Sequence, residues 1–192
     1  MTLLKPLLPT ARVVLATVLL LTAGAMWSLL PTKLQSWAPI DVHGSVGQRI
    51  AGRDIIATVQ RTYLAHELTA KGHDGFNRFR SKGIWLVMMV NYQPVLTPQS
   101  PRFELVADGN TFNTNLSALN ELVQPGLPAS GPLAFELPKT PTSATLRVSN
   151  ALLESSMAEM DFRPLDSRIV IDMPLSGLVP AVSLNLDELS HT

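Results

Sequence analysis

The sequence contains no cysteine, and only 16% of its 192 residues are charged. Without cysteine, disulfide bonds and thiolate zinc sites are excluded. Lysine plus arginine and aspartate plus glutamate each number 15, so the formal net charge is zero. Such a balance shows no bias toward nucleic acid or another polyanion, and we expect no nucleic-acid partner.

The sequence also lacks the short motifs of several enzyme classes. No G-x-S-x-G elbow is present to expose a nucleophilic serine, and the nearest fragment is HGSVGQ around Ser45. Gly44, Gly47 and Gly52 follow no predicted strand, so they do not indicate a phosphate-binding loop. We therefore expect no catalytic residue and no cofactor.

One long apolar run is present, near the N-terminus. Residues 13–30, VVLATVLLLTAGAMWSLL, are uncharged and as a helix would extend about 27 Å, close to the ~30 Å of a hydrocarbon core. Lys5 and Arg12 precede the run, which favours a cytosolic location for residues 1–12. The run predicts a transmembrane signal anchor at 13–31, with an extracytoplasmic domain after it.

The same run allows two further interpretations. Ala23, Gly24 and Ala25 form an A-x-A pattern, after which a signal peptidase could cut to release a secreted protein. As part of a retained anchor, these small residues would instead let another membrane helix pack closely. The anchor predicts membrane lipid as a partner, together with a protein of the same membrane or envelope.

Beyond the apolar run, the sequence predicts a stalk, a folded domain and a tail. The stalk, at 32–46, is indicated by proline and glycine, the domain occupies 47–176, and the tail is 177–192. Within the domain, IWLVMMV at 84–90 is too short to cross a bilayer as a helix and predicts a central strand covered on both faces. Most of the 15 prolines lie in the second half of the chain and argue against long helices there.

Period-two alternation of apolar and polar residues surrounds this central strand. It predicts about seven strands, near 53–63, 84–91, 102–107, 110–114, 131–137, 144–149 and 168–173. Asp108-Gly109 predicts a hairpin turn, and the apolar spacing at 116–123 predicts one or two helical turns. The segment MAEMDF could add an edge strand. The fold class is therefore mainly β, an immunoglobulin-like antiparallel β-sandwich, with a small barrel as the alternative.

The order of WLVMMVNY, FELVADGNTF, LVQPGLPASGPLAFELP and ATLRV resembles small bacterial immunoglobulin-like domains of unknown function. Those domains sit behind a lipoprotein signal or a single membrane anchor. The resemblance covers residues 46–150, or up to 174, and its motifs are structural. It implies a binding or scaffold role in the cell envelope. This chain departs from the lipoprotein members because no cysteine follows the apolar run, which excludes a lipid-modified N-terminus.

The segment LAHELTAKGHDGFNRFRSKG contains the best cluster of chemically active residues. His66, Glu67, His73 and Asp74 fall within nine residues and are of the types that ligate metals. The spacing lacks the second histidine at i+4 of a helical zinc protease. Glycines in the segment favour a solvated loop at 65–82 joining two strands.

The same segment interleaves aromatic and basic side chains. Together they could rest on anionic headgroups or bind an acidic partner; alternatively, the aromatic rings extend the core while the cations face water. The residues are Phe76, Arg78, Phe79, Arg80 and Lys82.

Three functions are compatible with these patterns. The first is a single-pass envelope protein whose exported domain is a binding or scaffold module without enzymatic activity. The second is a metal-dependent or hydrolytic envelope enzyme that uses the loop at 65–82. The third is a carrier of an apolar ligand held between the sheets.

Overall fold

The computed structural model describes residues 9–29, 39–72, 75–150 and 167–189. The chain divides into two compact units, Met1–Ala38 and Pro39–Thr192. In the first unit, helix α1 spans Pro9–Leu29, which confirms a helix over the apolar run. Among the described residues, none of the helices combines the length and hydropathy needed to cross a membrane. The predicted transmembrane span is therefore not supported.

The second unit is a β-sandwich. Its described residues form eleven strands and one helical turn: β1 Ile40–Ser45, β2 Ile50–Ala51, β3 Ile55–Gly72, β4 Gly75–Pro94, β5 Pro101–Ala107, β6 Asn110–Asn113, β7 Leu116–Ser117, β8 Ala129–Leu137, β9 Ser143–Asn150, β10 Ser167–Pro174, β11 Ala181–Asn185 and α2 Leu186–Leu189. One sheet has the order β1-β10-β9-β5-β6, and the other β11-β3-β4-β8-β7, with β2 paired to β3. Residues of both sheets share one buried core, including Leu86, Phe135 and Leu146, which confirms the mainly-β class.

The central strand is confirmed at the predicted place. Every residue from Ile84 to Val90 is buried, and β4 lies between β3 and β8. Because side chains alternate along a strand, its two faces enter two different clusters. Ile84, Leu86 and Met88 join the main core, whereas Trp85 and Val87 join a second cluster on the other face of the sheet.

The predicted hairpin at Asp108-Gly109 is also confirmed. Asp108 has φ 49° and Gly109 has φ 77°, the left-handed backbone at both central positions that a two-residue type I′ turn requires. The turn joins β5 and β6, which pair from Ala107 with Asn110 outward.

Two strands lie where a stalk and a tail were predicted. Residues 40–45 form β1, which pairs in parallel with β10, and residues 181–185 form β11, which pairs in parallel with β3. All seven predicted strands are confirmed, within β3, β4, β5, β6, β8, β9 and β10. The purely antiparallel arrangement is wrong, because β1 and β11 pair in parallel. Both are edge strands whose side chains are exposed or half-buried. Ile40 and Val42 alternate with polar residues, but the proline and glycine nearby favour a stalk.

The predicted helical turns at 116–123 are also wrong. Leu116–Ser117 is strand β7, Leu119 is buried in the main core, and Val123 bridges to Gln99. The apolar spacing i, i+3, i+7 is that of a helix, but here the side chains are buried by a segment that is not helical. The segment MAEMDF lies outside the described residues.

Candidate functional site

The segment 65–82, predicted as a loop, is instead part of a long β-hairpin. Strands β3 and β4 pair through Glu67 with Arg80, Thr69 with Arg78, and Lys71 with Phe76. We call residues 67–72 and 75–82 the arm. The inward-facing rows of β3 and β4 leave the main core at Leu64 and Ile84, and the arm continues both strands beyond that point.

One face of the arm is covered by the C-terminal part of the domain. Leu68, Ala70 and Phe79 pack there with Leu184 and Leu186 in the second cluster. Strand β11 is paired beside β3 in the same sheet, with Leu184 opposite Leu68, so the apolar contacts of β11 and α2 add to a backbone pairing.

Two polar contacts support the covered face. The Lys71 backbone N–H donates to Asp187 Oδ2 at 2.7 Å, and the Trp85 indole N–H donates to the Phe79 carbonyl at 3.0 Å. The arm is therefore fixed from one side by packing and by hydrogen bonds.

The opposite face of the arm is open to solvent. Alternation along β4 places Phe76, Arg78, Arg80 and Lys82 in one row, and all four are exposed. Phe76 is 67% exposed, although rings of this size are normally buried. Neighbouring members of the row are about 6.6 Å apart, so the row extends about 20 Å.

The open face is basic. Lys71 lies opposite Phe76 and adds a fourth cation to the three of β4. Among the described arm residues the one carboxylate is Glu67, which lies 3.5 Å from the Arg80 guanidinium. The Arg80 side chain is 83% exposed. Solvent therefore screens its attraction to Glu67, and the ion pair contributes little energy. Nothing in the described chain covers the row.

A register shift between β3 and β4 accompanies this arrangement. From Ala65 to Glu67, β3 advances two residues, whereas the paired residues of β4, Trp85 and Arg80, are five apart, an irregularity of the β-bulge kind. Ala65 and Leu68 both belong to the second cluster, so the shift moves Glu67 and Lys71 to the opposite side. The bulge thus aligns β3 side chains with the basic row of β4.

The structure describes only two of the four residues of the predicted metal cluster. His66 lies at the bulge and is exposed, and Glu67 interacts with Arg80. His73 and Asp74 lie outside the described residues. Within the described ranges, three or more histidine, cysteine, aspartate or glutamate residues do not come together as a possible metal site. A metal or acid–base role for this segment stays a prediction.

The aromatic and basic residues singled out from the sequence do not act as one group. The structure brings Phe76, Arg78, Arg80 and Lys82 to the open face but places Phe79 in the second cluster. The period-two spacing of the first four, read as a strand, would have shown this division.

A buried acid that sequence patterns do not reveal lies at the other end of β3. Asp54 is 8% exposed, and its carboxylate accepts hydrogen bonds from the backbone of Leu96, from Thr97 and from Gln99 Nε2. Each partner lies more than 40 positions away. These bonds fix a loop against the start of β3, a structural role.

Asp41 and Arg168 form a bidentate pair on neighbouring strands, at 2.7 and 2.9 Å. The hydrogen bond from the guanidinium holds the pKa of Asp41 below its ordinary value and raises the pKa of Arg168. The pair joins β1 to β10 and is partly exposed, so its role is to hold the edge of the sheet.

A shallow pocket lies at one end of the sandwich. Its volume is about 40 Å³, far below the roughly 300–1,000 Å³ of typical ligand sites. It cannot enclose a lipid chain. The lining residues are Ala107, Asp108, Asn110, Phe112, Leu137, Pro138, Lys139 and Pro141.

The three small residues predicted for helix packing lie on α1. Ala23, Gly24 and Ala25 are all exposed, and a Cβ added at Gly24 would meet no atom of the described chain within 4 Å. Their predicted packing against another helix stays a prediction.

No family model and no curated protein matches this sequence. Among solved structures, an uncharacterised β-sandwich protein from Clostridium difficile 630 is similar, with 9% identity, 74% of this chain and 99% of that chain covered, and a TM-score of 0.43. A protein from Staphylococcus aureus subsp. aureus NCTC 8325 described as a "putative lipoprotein" has 11% identity, 73% and 97% coverage, and a TM-score of 0.39. The interpretation of the site therefore rests on this chain's own residues.

Proposed function

We propose that this protein is a binding module of the cell envelope that docks an acidic protein partner on the open face of the arm. The observation that carries the proposal is the exposed row of Phe76, Arg78, Arg80 and Lys82. A sandwich needs no such extension to complete its core, since the inward-facing rows of β3 and β4 leave that core at Leu64 and Ile84.

The chemistry of the row suits protein recognition. Aromatic residues and arginine are enriched in the interfaces of protein complexes, whereas an exposed phenylalanine is unfavourable in water. The open face carries four cations and a single carboxylate among the described arm residues, that of Glu67. This excess of positive charge favours a partner of negative charge. The covered face holds the arm in place, so binding would not first have to order it.

The position of the arm also supports docking. Ile40 of β1 pairs with Ser167, whose hydroxyl accepts a hydrogen bond from the Arg53 backbone at 2.8 Å. The chain thus enters the domain where β3 begins, whereas the arm is where β3 ends. An 18-residue strand spans about 55 Å at ~3.3 Å per residue, so the basic row lies far from the point where the chain enters.

The N-terminal segment supplies the envelope location in this proposal, as a retained anchor or as a signal cleaved near Ala25. Helix α1 exposes large apolar side chains, including Val13, Leu20 and Trp27, which favour lipid or another apolar surface over water. Identification of the mature N-terminus by mass spectrometry, combined with alkaline extraction of membranes, distinguishes the two forms. An intact chain in the cytosolic fraction would contradict both.

Chemical crosslinking in intact cells tests the docking face. Arg78→Glu with Arg80→Glu should reduce the crosslinked adduct at least tenfold, because the reversed charges repel an acidic partner. Arg49→Glu with Arg61→Glu is the matched control, since both residues are exposed and lie outside the arm. An equal adduct yield from the two double variants would overturn the proposal.

A further inference from the structure

One edge of the arm pairs with no strand of the described chain. Strand β4 pairs with β8 only from Ile84 to Tyr92, and its residues 75–80 pair on one side with β3. On the other side, where β8 would continue, no strand of the described chain follows. Two backbone groups of this segment are bonded to side chains of β4 itself: the Phe79 carbonyl accepts a hydrogen bond from the Trp85 indole N–H, and the Gly83 N–H donates one to Ser81 Oγ.

We infer that this edge accepts an extended acidic segment of a protein partner as an additional β-strand, alongside Gly75–Lys82 and in line with β8. The inference rests on the proposed docking face and specifies how it binds. Strand addition supplies backbone hydrogen bonds for affinity, and the alternate side chains of the added strand supply specificity. Eight residues of open edge extend about 26 Å, enough for a strand of ordinary length.

The two faces of the arm set the side chains that the added strand would carry. Side chains on the open face would lie beside Arg78 and Arg80 and should be acidic, because opposite charges on neighbouring strands attract. Side chains on the other face would lie beside Phe79, which is partly buried in an apolar cluster, and should be apolar. The preferred segment therefore alternates acidic and apolar residues.

Charge also decides against a second copy of this chain as the added strand. Two arms paired edge to edge would bring Arg78, Arg80 and Lys82 of each copy close together, and like charges on neighbouring strands are destabilising. Cations at an open strand edge also prevent aggregation. If this is their only role, the edge binds no peptide.

Peptide binding to the full-length protein tests strand addition. The probe is a fluorescent ten-residue peptide of alternating glutamate and valine, measured by anisotropy at low ionic strength. The control peptide has the same composition with the two residue types in separate blocks. Two further peptides carry N-methyl groups on every second residue, one in each register, because N-methylation removes the backbone donors from one edge of the peptide and leaves its charge unchanged.

The alternating peptide should bind at least tenfold more tightly than the block peptide. One N-methylated register should lose at least tenfold in affinity, whereas the other retains it, and bound peptide should slow amide exchange in residues 75–82. If both N-methylated peptides bind as tightly as the parent, strand addition is overturned but the docking face stands. If Arg78→Glu with Arg80→Glu leaves the binding of all peptides unchanged, the docking face falls as well, and the cations serve only to protect the edge.

Discussion

Strands β3 and β4 each belong to two regions that differ in how their faces are covered. In the sandwich, Leu86 faces the opposite sheet and Val87 faces the C-terminal segment, and both are fully buried. In the arm, Phe79 still has the C-terminal segment over it, whereas Phe76 has no cover and is 67% exposed. The same alternation thus builds a core in one region and a presented surface in the other, and the difference lies in what the rest of the chain covers.

The largest effect should come from breaking the sandwich region. Leu86→Ala removes a completely buried side chain and should lower the free energy of unfolding by about 3 kcal/mol, since a cavity remains. Lys82→Ala, on the same face of β4 but exposed, should change it by less than about 0.5 kcal/mol. Urea unfolding of the full-length variants measures both. Equal destabilisation by the two substitutions would show that the arm is covered as the sandwich is.

A smaller and more local effect should follow from uncovering the arm. Leu186 is 7% exposed and belongs to the second cluster, so Leu186→Ala should cost about 2 kcal/mol, at the low end for buried leucine because the cluster is small and peripheral. Amide exchange should accelerate in the arm more than in the central part of β4.

Val182→Ala is the matched control for Leu186→Ala. Val182 also belongs to the C-terminal segment but is 84% exposed, so its truncation should leave arm exchange unchanged. Uniformly faster exchange throughout the domain after Leu186→Ala would contradict a separable arm.

The sandwich and the arm also differ in how much of each could be predicted from the sequence. The segment 84–90 is apolar on both faces, and Asp108-Gly109 has a backbone preference of its own, so each is visible within a few residues. Strands β1 and β11 are exposed edges whose parallel partners lie more than 100 positions away. Their stability comes from pairing partners that local patterns do not contain.

The arm illustrates the same limit at the candidate site. Polar residues and the glycines Gly72 and Gly75 are typical of a loop, yet here the glycines close a hairpin. The sequence singles out the residues of the basic row, but their separation from Phe79 required the strand and its bulge. The cover on the far face comes from residues 181–189, which no pattern near the arm indicates.

A smaller effect still should come from the Asp41–Arg168 pair at the sandwich edge. Because the folded pKa of Asp41 is lowered, the pair stabilises the fold above the ordinary aspartate pKa of about 4. That stability is lost as the pH falls through the lower folded value. Asp41→Asn should cost at most about 1 kcal/mol at pH 7, since the pair is partly exposed.

The pH dependence gives the sharper measurement for this pair. The difference in unfolding free energy between the protein and Asp41→Asn should shrink as the pH is lowered from about 5 to 2. A difference that is constant over this range would show that the substitution acts through packing and not through the charge of Asp41.

The smallest effect on stability should come from Phe76→Ala, and it gives the clearest test of the comparison. Phe76 and Phe79 lie three positions apart on β4, but only Phe79 contacts the second cluster. Phe79→Ala should therefore destabilise the arm by about 1–2 kcal/mol, less than for a fully buried ring because Phe79 is partly exposed. Phe76→Ala should change unfolding by less than about 0.5 kcal/mol yet weaken binding of the alternating glutamate–valine peptide several-fold, since an exposed aromatic side chain contributes mainly when a partner covers it. Equal losses of stability from both substitutions would mean that Phe76 is a packing residue, and the open face would then lose its aromatic anchor.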